Sequence, residues 1–110
     1  MNQSTIKIRL DILGEKYKER NESSVECVLE EKDEKELLSF LNCHNEIIRA
    51  SAVDLLAYSN TITTRDTLMN LITKDNSRIV RAYCCSSLCD IAFERKENGY
   101  IMFQTQIKST

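Results

Sequence analysis

The chain contains no proline and only two glycines, Gly14 and Gly99, in 110 residues. Tight turns between closely spaced strands lean on those two residue types. Proline fixes φ near −65°, and glycine reaches positive φ without a Cβ clash. An all-β sandwich or barrel is therefore the class this sequence serves worst. Helices joined by short polar turns need neither residue. With 42% hydrophobic residues the chain has the material for a core. Its length suits a single domain, residues 1–110, burying roughly two-thirds of its unfolded surface.

Fifteen basic residues face 17 acidic ones, a net charge of −2, and the isoelectric point is about 5.4. Domains built on phosphate contacts usually have isoelectric points above about 9. Here Lys16, Lys18 and Arg20 are interleaved with Glu15 and Glu19, so nucleic acid is not an expected partner. No apolar run approaches the roughly 18 residues of a membrane span. The opening MNQSTIKIRLDIL lacks the continuous apolar centre and small-residue cleavage site of a signal peptide. The expected location is cytoplasmic, without a membrane partner. The five cysteines, Cys27, Cys43, Cys84, Cys85 and Cys89, are expected to be reduced thiols rather than a disulfide framework.

Ile6, Leu10, Leu13 and Tyr17 fit one helical face over residues 5–20, while Ile6, Ile8, Leu10 and Ile12 alternate as a strand would. The helix is preferred because Glu and Lys crowd the turn that follows. Ser23 with Glu26, and Asp33 with Glu36, have the spacing of capping boxes. A helix is expected over 33–43, a second from the cap Asn45 to about Tyr58, then a polar break from Asn60 to Thr64. A third helix is expected from about Arg65 to Lys74, and a fourth, capped by Ser77, from Arg78 to about Glu97. Asn98-Gly99 is a helix stop. The final YIMFQTQIKS fits a helix or an extended cap equally well.

NEIIRASAVDLLA from Asn45 and SRIVRAYCCSSLC from Ser77 align at an offset of 32 residues. Ile47 meets Ile79, Ile48 meets Val80, Arg49 meets Arg81, Ala50 meets Ala82, and Leu56 meets Leu88. The preceding helices align at an offset of 31, with Leu37, Leu38, Phe40 and Leu41 on Leu68, Met69, Leu71 and Ile72. Self-similarity at such a period is the mark of a solenoid.

These units resemble HEAT-like repeats, in the short form also seen in phycobilin-lyase-type repeat proteins. The second helix of that family opens with a polar cap and Val-Arg. A small residue follows three on from the Arg, and Leu seven on. Ile48-Arg49, Ala52 and Leu56 match, as do Val80-Arg81, Cys84 and Leu88. The acidic residue that often precedes the cap is Asp75 in the second unit, and Cys43 stands there in the first. The family's usual Pro is absent, and Ala57 and Cys89 replace its closing Gly. The resemblance covers roughly residues 33–97. It implies an all-α fold, a short α-α superhelix of about two helix-pair repeats. N-terminal capping helices would cover 5–31, the first repeat 33–58, the second 64–97, and a C-terminal cap 98–110. It also implies structural roles for Arg49 and Arg81, bonding to acidic or carbonyl groups of an adjacent repeat, with Asp75 as the matching acid.

At 100° per residue, Ile48, Ala52, Leu55 and Leu56 share one face of their helix, and Ala50, Val53 and Ala57 lie opposite. A helix apolar on most sides is sandwiched between neighbours. Its one polar stripe is Ser51, Asp54 and Tyr58, and a shift of 32 gives Tyr83, Ser86 and Asp90. Those six residues are the candidate partner-binding surface, because stacked repeats align the two stripes and Tyr is favoured at interfaces. An ordinary solvated face is the other reading.

The remaining signals favour structure over chemistry. Cys84 and Cys85 point about 100° apart on a helix and do not share one tetrahedral metal ion. Cys84 and Cys89 occupy the small-residue positions of the repeat and are expected to pack as small hydrophobes. His44, the only histidine, is expected in a solvent-facing turn, and the run around Glu30-Glu31 reads as wet surface. No phosphate loop, nucleophile elbow or metalloprotease helix occurs. The expectation is a non-catalytic protein-binding scaffold or adaptor module with no cofactor and no metal. The alternatives are an inhibitor or immunity-type protein masking one partner enzyme, or a HEAT-like protein assisting bilin attachment or DNA repair. Two repeats bury little, and about three are normally needed. Ile101, Phe103 and Ile107 are apolar enough to cover an open end or to make a homodimer contact. Deletion of residues 99–110 is expected to lower the melting temperature or change the mass in solution; a chain unchanged in both contradicts this role.

Overall fold

The computed structural model describes residues 2–22 and 28–94. Five helices follow in order: α1 (Gln3–Glu22), α2 (Glu31–Phe40), α3 (Glu46–Leu56), α4 (Ile62–Lys74) and α5 (Arg78–Glu94). No strand occurs among the described residues. The period of α1 settles its two readings. Ile6, Leu10, Leu13 and Tyr17 are buried, whereas Ile8 and Ile12, which an alternating strand would have put on the same face, are 60% and 49% exposed.

Side chains, not glycines or prolines, make the turns. Asn45 Oδ1 accepts from the Ile47 and Ile48 amides at 2.9 and 3.4 Å. Ser77 Oγ accepts from the Val80 amide at 3.3 Å. These bonds satisfy amides that the first turn of a helix leaves without partners. The expected break at Asn60–Thr64 is corrected. Thr61 Oγ1 caps α4 by accepting from the Thr64 amide at 3.2 Å, and Thr64 is buried in the first turn. The pair Asp33 and Glu36 forms no capping box either. α2 starts at Glu31, ahead of Asp33, and ends at Phe40 rather than residue 43. Both carboxylates are drawn to α1 instead, Glu36 taking the Arg9 guanidinium as a fork at 3.0 and 2.7 Å. The Ser23–Glu26 pair, the Asn98-Gly99 stop and the C-terminal cap 98–110 lie outside the described residues.

α3 packs against α1, α2 and α5, and α4 packs on α5. The body is 20 Å thick, the depth of two helix layers of about 10 Å each. α1, α3 and α5 lie side by side, with α2 and α4 behind. Leu37, Phe40, Ile48, Ala52, Val53, Leu56, Leu68, Val80, Cys84 and Leu88 fill the interior between them. Burial pushes the Cys84 thiol up to about 12, with the nearby Asp75 and Cys85 adding to it, so this thiol is inert filler. Cys89 departs from expectation: it is exposed, as is Cys85, because both turn away from the face of α5 that meets α3.

The run expected to be wet surface holds two buried carboxylates. Glu34 Oε2 accepts from the hydroxyls of Ser59, Thr61 and Thr64, the last two at 3.0 and 2.7 Å. It thereby ties α2 to the loop between α3 and α4. Asp33 is held by α1.

Arg49 joins the two helix pairs. Its Nη1 donates to the Cys43 and His44 carbonyls, both at 2.9 Å. Its Nε and Nη2 fork onto the Asp75 carboxylate, both at 3.1 Å, and Nη2 also reaches Asn76 Oδ1. Arg81, 32 positions on, repeats the first kind of bond, donating to the Asp75 carbonyl at 2.7 Å. Burial alone would raise the Asp75 carboxyl. The Arg49 fork, the Ser77 amide and the charges of Arg49 and Arg81 outweigh it and hold the group below the usual carboxylate range. The side chains of Arg49 and Asp75 are only 11% and 6% exposed, so removing one strands the other in a poorly solvated site. Arg49→Ala is expected to destabilise the fold by about 3 kcal/mol in urea titration. A depressed carboxyl stabilises above its unfolded value of about 3.9 and loses that contribution as pH falls through its folded value. The stability lost by the wild type below about pH 4 should therefore be smaller in Arg49→Ala.

Candidate functional site

The side-by-side helices α1, α3 and α5 leave an open groove along their shared face. Its larger part has a volume of about 820 Å³ and is lined by Asp11, Gly14, Glu15 and Lys18 of α1, by Asp54 and Tyr58 from α3 and the turn after it, and by Asp90 of α5. A continuation of about 270 Å³ runs between Leu10, Ile47, Ser51, Leu55, Ile79 and Tyr83. Ile47, Ile79 and Tyr83 are 54%, 43% and 42% exposed there. Asp11 and Asp54 border both parts, Glu15 and Asp90 add to the acidic lining of the larger one, and the exposed apolar side chains lie in the continuation.

Polar bonds between α1 and the start of α2 fix the α1 wall. Lys16 Nζ donates to Glu30 and Asp33, both at 2.8 Å. The Tyr17 hydroxyl donates to Asp33 Oδ2 at 2.6 Å and accepts from the Glu30 amide at 3.0 Å. Burial works to raise Asp33, but the Lys16 and Tyr17 bonds hold it below the usual carboxylate range. Burial and the bond to Asp33 push the Tyr17 phenol up. The Tyr17 ring stacks on Tyr58, with centroids 6.0 Å apart and planes at 23°. The Leu29 amide closes the cluster by donating to the Tyr58 carbonyl at 3.0 Å.

Of the six residues in the sequence-derived stripe, Ser51, Asp54, Tyr58, Tyr83 and Asp90 line the groove. Ser86 is exposed on α5. Tyr58 is half-buried, and its ring also stacks on Tyr17. Tyr83 is the accessible tyrosine of the pair. Arg49, Arg81 and Asp75 lie at the turns. The sequence reading missed the whole α1 wall, Asp11, Gly14, Glu15 and Lys18. An acidic i, i+4 pair at Asp11 and Glu15 was its available signal.

Burial, and then the charge of Asp90, push the Asp54 carboxyl up. No ion pair among the described residues involves Asp11, Glu15, Asp54 or Asp90. Gly14 sits mid-helix, where glycine costs about 1 kcal/mol relative to alanine. A Cβ placed there meets nothing within 4 Å, so packing does not require the glycine. No three His, Cys, Asp or Glu side chains converge as metal ligands among the described residues, and no described helix is long and apolar enough to cross a membrane.

No known protein family, curated protein or solved structure matches the chain.

A carboxyl raised on folding is charged at a cost, and that cost is present above its folded value and fades as pH falls toward about 4. Asp54→Asn is therefore expected to raise the melting temperature at pH 7, with the gain shrinking as pH falls toward 4. A melting temperature that falls at pH 7 would show that the Asp54 charge stabilises the fold.

Proposed function

We propose that this protein is a non-catalytic protein-binding module with a short HEAT-like α-α superhelix, and that the α1–α3–α5 groove takes a basic, amphipathic segment of a protein partner. Support for the superhelix comes from the pairing of α2 with α3 and α4 with α5, from α3 lying against α5, and from the equivalent carbonyl bonds of Arg49 and Arg81.

The observation that carries the binding reading is the charge of the groove. Four carboxylates line it against Lys7 and Lys18, and none of the four has an ion-pair partner among the described residues. Asp33, Glu36 and Asp75, by contrast, are paired with cations inside the fold. Charge left uncompensated in a concave site steers and orients an oppositely charged partner. Ile47, Ile79 and Tyr83 supply the apolar contact that gives such a complex its affinity. Gly14 leaves the α1 wall without a side chain at that point, at a cost in helix stability.

The test is fluorescence anisotropy with two labelled helical peptides of equal length, one alternating Lys and Leu faces and the other Glu and Leu. The Lys peptide should bind, more weakly as salt rises. Asp54→Lys with Asp90→Lys should weaken it by roughly tenfold or more, equivalent to about 1.4 kcal/mol. Gly14→Leu puts a side chain on the α1 wall and should also weaken binding while helicity and melting temperature rise, since leucine is the better helix former. Equal affinity for both peptides, or full binding by Gly14→Leu, would overturn the reading.

A further inference from the structure

Cys85 and Cys89 are both exposed on α5. Free cysteine is among the most buried residue types, and packing does not require two of them on open surface. Cys84, next to them in sequence, is the buried one and belongs to the core. Four residues apart on a helix, Cys85 and Cys89 lie about 40° from one another around the axis and about 6 Å along it. Their Cβ atoms are then about 5–6 Å apart. A disulfide needs Cβ atoms about 3.5–4.5 Å apart, so the intact helix does not let the two thiols oxidise onto each other. Ala82, one turn before Cys85, is also exposed and adds only a methyl group to this face. α5 thus presents two thiols that share a face, stay open and are reached from solvent.

We propose that Cys85 and Cys89 form a two-thiolate site for a soft monovalent cation, Cu(I). A linear thiolate–metal–thiolate unit spans about 4.6 Å between sulfurs, if each bond is about as long as zinc's 2.3 Å. Thiolates on Cβ atoms about 5–6 Å apart reach that span by leaning slightly toward each other, with no change of backbone. Ligand type and ligand number then select the ion. Thiolates favour soft ions such as Cu(I) and zinc, whereas calcium and magnesium take oxygen ligands. Zinc and iron–sulfur sites call for about four protein ligands, and among the described residues no three His, Cys, Asp or Glu side chains converge. Cu(I) is satisfied by two. Binding exchanges the thiol protons for two S–Cu bonds, and no electron is transferred. The resulting unit carries one net negative charge. Arg81 stands one turn before Cys85 and forms no ion pair among the described residues, so its charge favours that unit. The pair is centred about 120° around α5 from the stripe of Ile79, Tyr83 and Asp90, so copper leaves the acidic groove open.

The test is competition for Cu(I), presented to the full-length reduced chain as its coloured bicinchoninate complex without oxygen. The chain should withdraw one copper per molecule, and its mass in solution should stay that of the copper-free chain. Both cysteines are exposed, so serine at either position keeps the fold, which circular dichroism checks. Cys85→Ser and Cys89→Ser should each weaken binding by about a hundredfold or more, beyond what loss of a merely supporting partner costs. Cys27→Ser with Cys43→Ser should bind as the unmodified chain does. Cys85→Ser with Ala82→Cys keeps two exposed thiols on one face but sets them about 10.5 Å apart along the helix, and should bind no better than Cys85→Ser alone. Copper left with the competitor, or single serine variants that bind as the unmodified chain does, would overturn the proposal. So would loss of binding in the Cys27 and Cys43 variant, recovery by Ala82→Cys, or a copper-induced dimer, which would place the second thiolate on another copy.

Discussion

The contact between Arg49 and the turn at Asp75 sets the relation of the two helix pairs. Apolar burial holds α3 against α5, but hydrophobic contact is non-directional and tolerates sliding. A planar guanidinium forked onto a carboxylate does not. The side chain spans two turns, bonding the carbonyls at residues 43 and 44 with one nitrogen and Asp75 with the other two. That bridge fixes the starting points of α3 and α5 side by side. Because the two helices start in step, Ser51 and Asp54 come to lie in the same groove as Tyr83 and Asp90.

The third wall depends on a different kind of interaction. α1 belongs to neither helix pair, yet it borders α3 and supplies half of the acidic lining. It is held by an aromatic stack and by a buried carboxylate, Asp33, shared between Lys16 and Tyr17. Such a network is directional and fully satisfied: no buried side-chain polar atom lacks a partner among the described residues. It gives α1 a defined axial position that its apolar face, with four buried residues among 3–18, would specify weakly.

What could be read from the sequence was local. The caps Asn45 and Ser77, the four apolar positions of α1, and the alignment of Ile48 with Val80 rest on spacings within one or two turns. Those spacings survive whatever the tertiary fold does. The misreadings share the opposite cause. Asp33 and Glu34 sit in a run of charges that looks solvated, and only partners 16 to 30 residues away make them interior. α3 ends at Leu56 instead of about Tyr58, and the Tyr58 ring beyond it lines the groove while stacking on Tyr17. Cys89 matches Ala57 in the repeat, and its exposure follows from having no helix upon it among the described residues. The groove was half legible: its α3 and α5 sides follow from the repeat, while its α1 side rests on contacts no periodicity encodes.

The central position of α3 also orders the way the molecule opens. α3 is covered by three helices, α5 by two, and α1 and α4 each pack chiefly on one. Segments with few packed neighbours unfold locally at a lower free energy than those at the centre. The amides of α3 are thus exposed to exchange only when the whole structure comes apart, whereas α1 has a route to detach alone. The groove is consequently bounded by walls of unequal permanence, one part of the most protected helix and one that can leave without it.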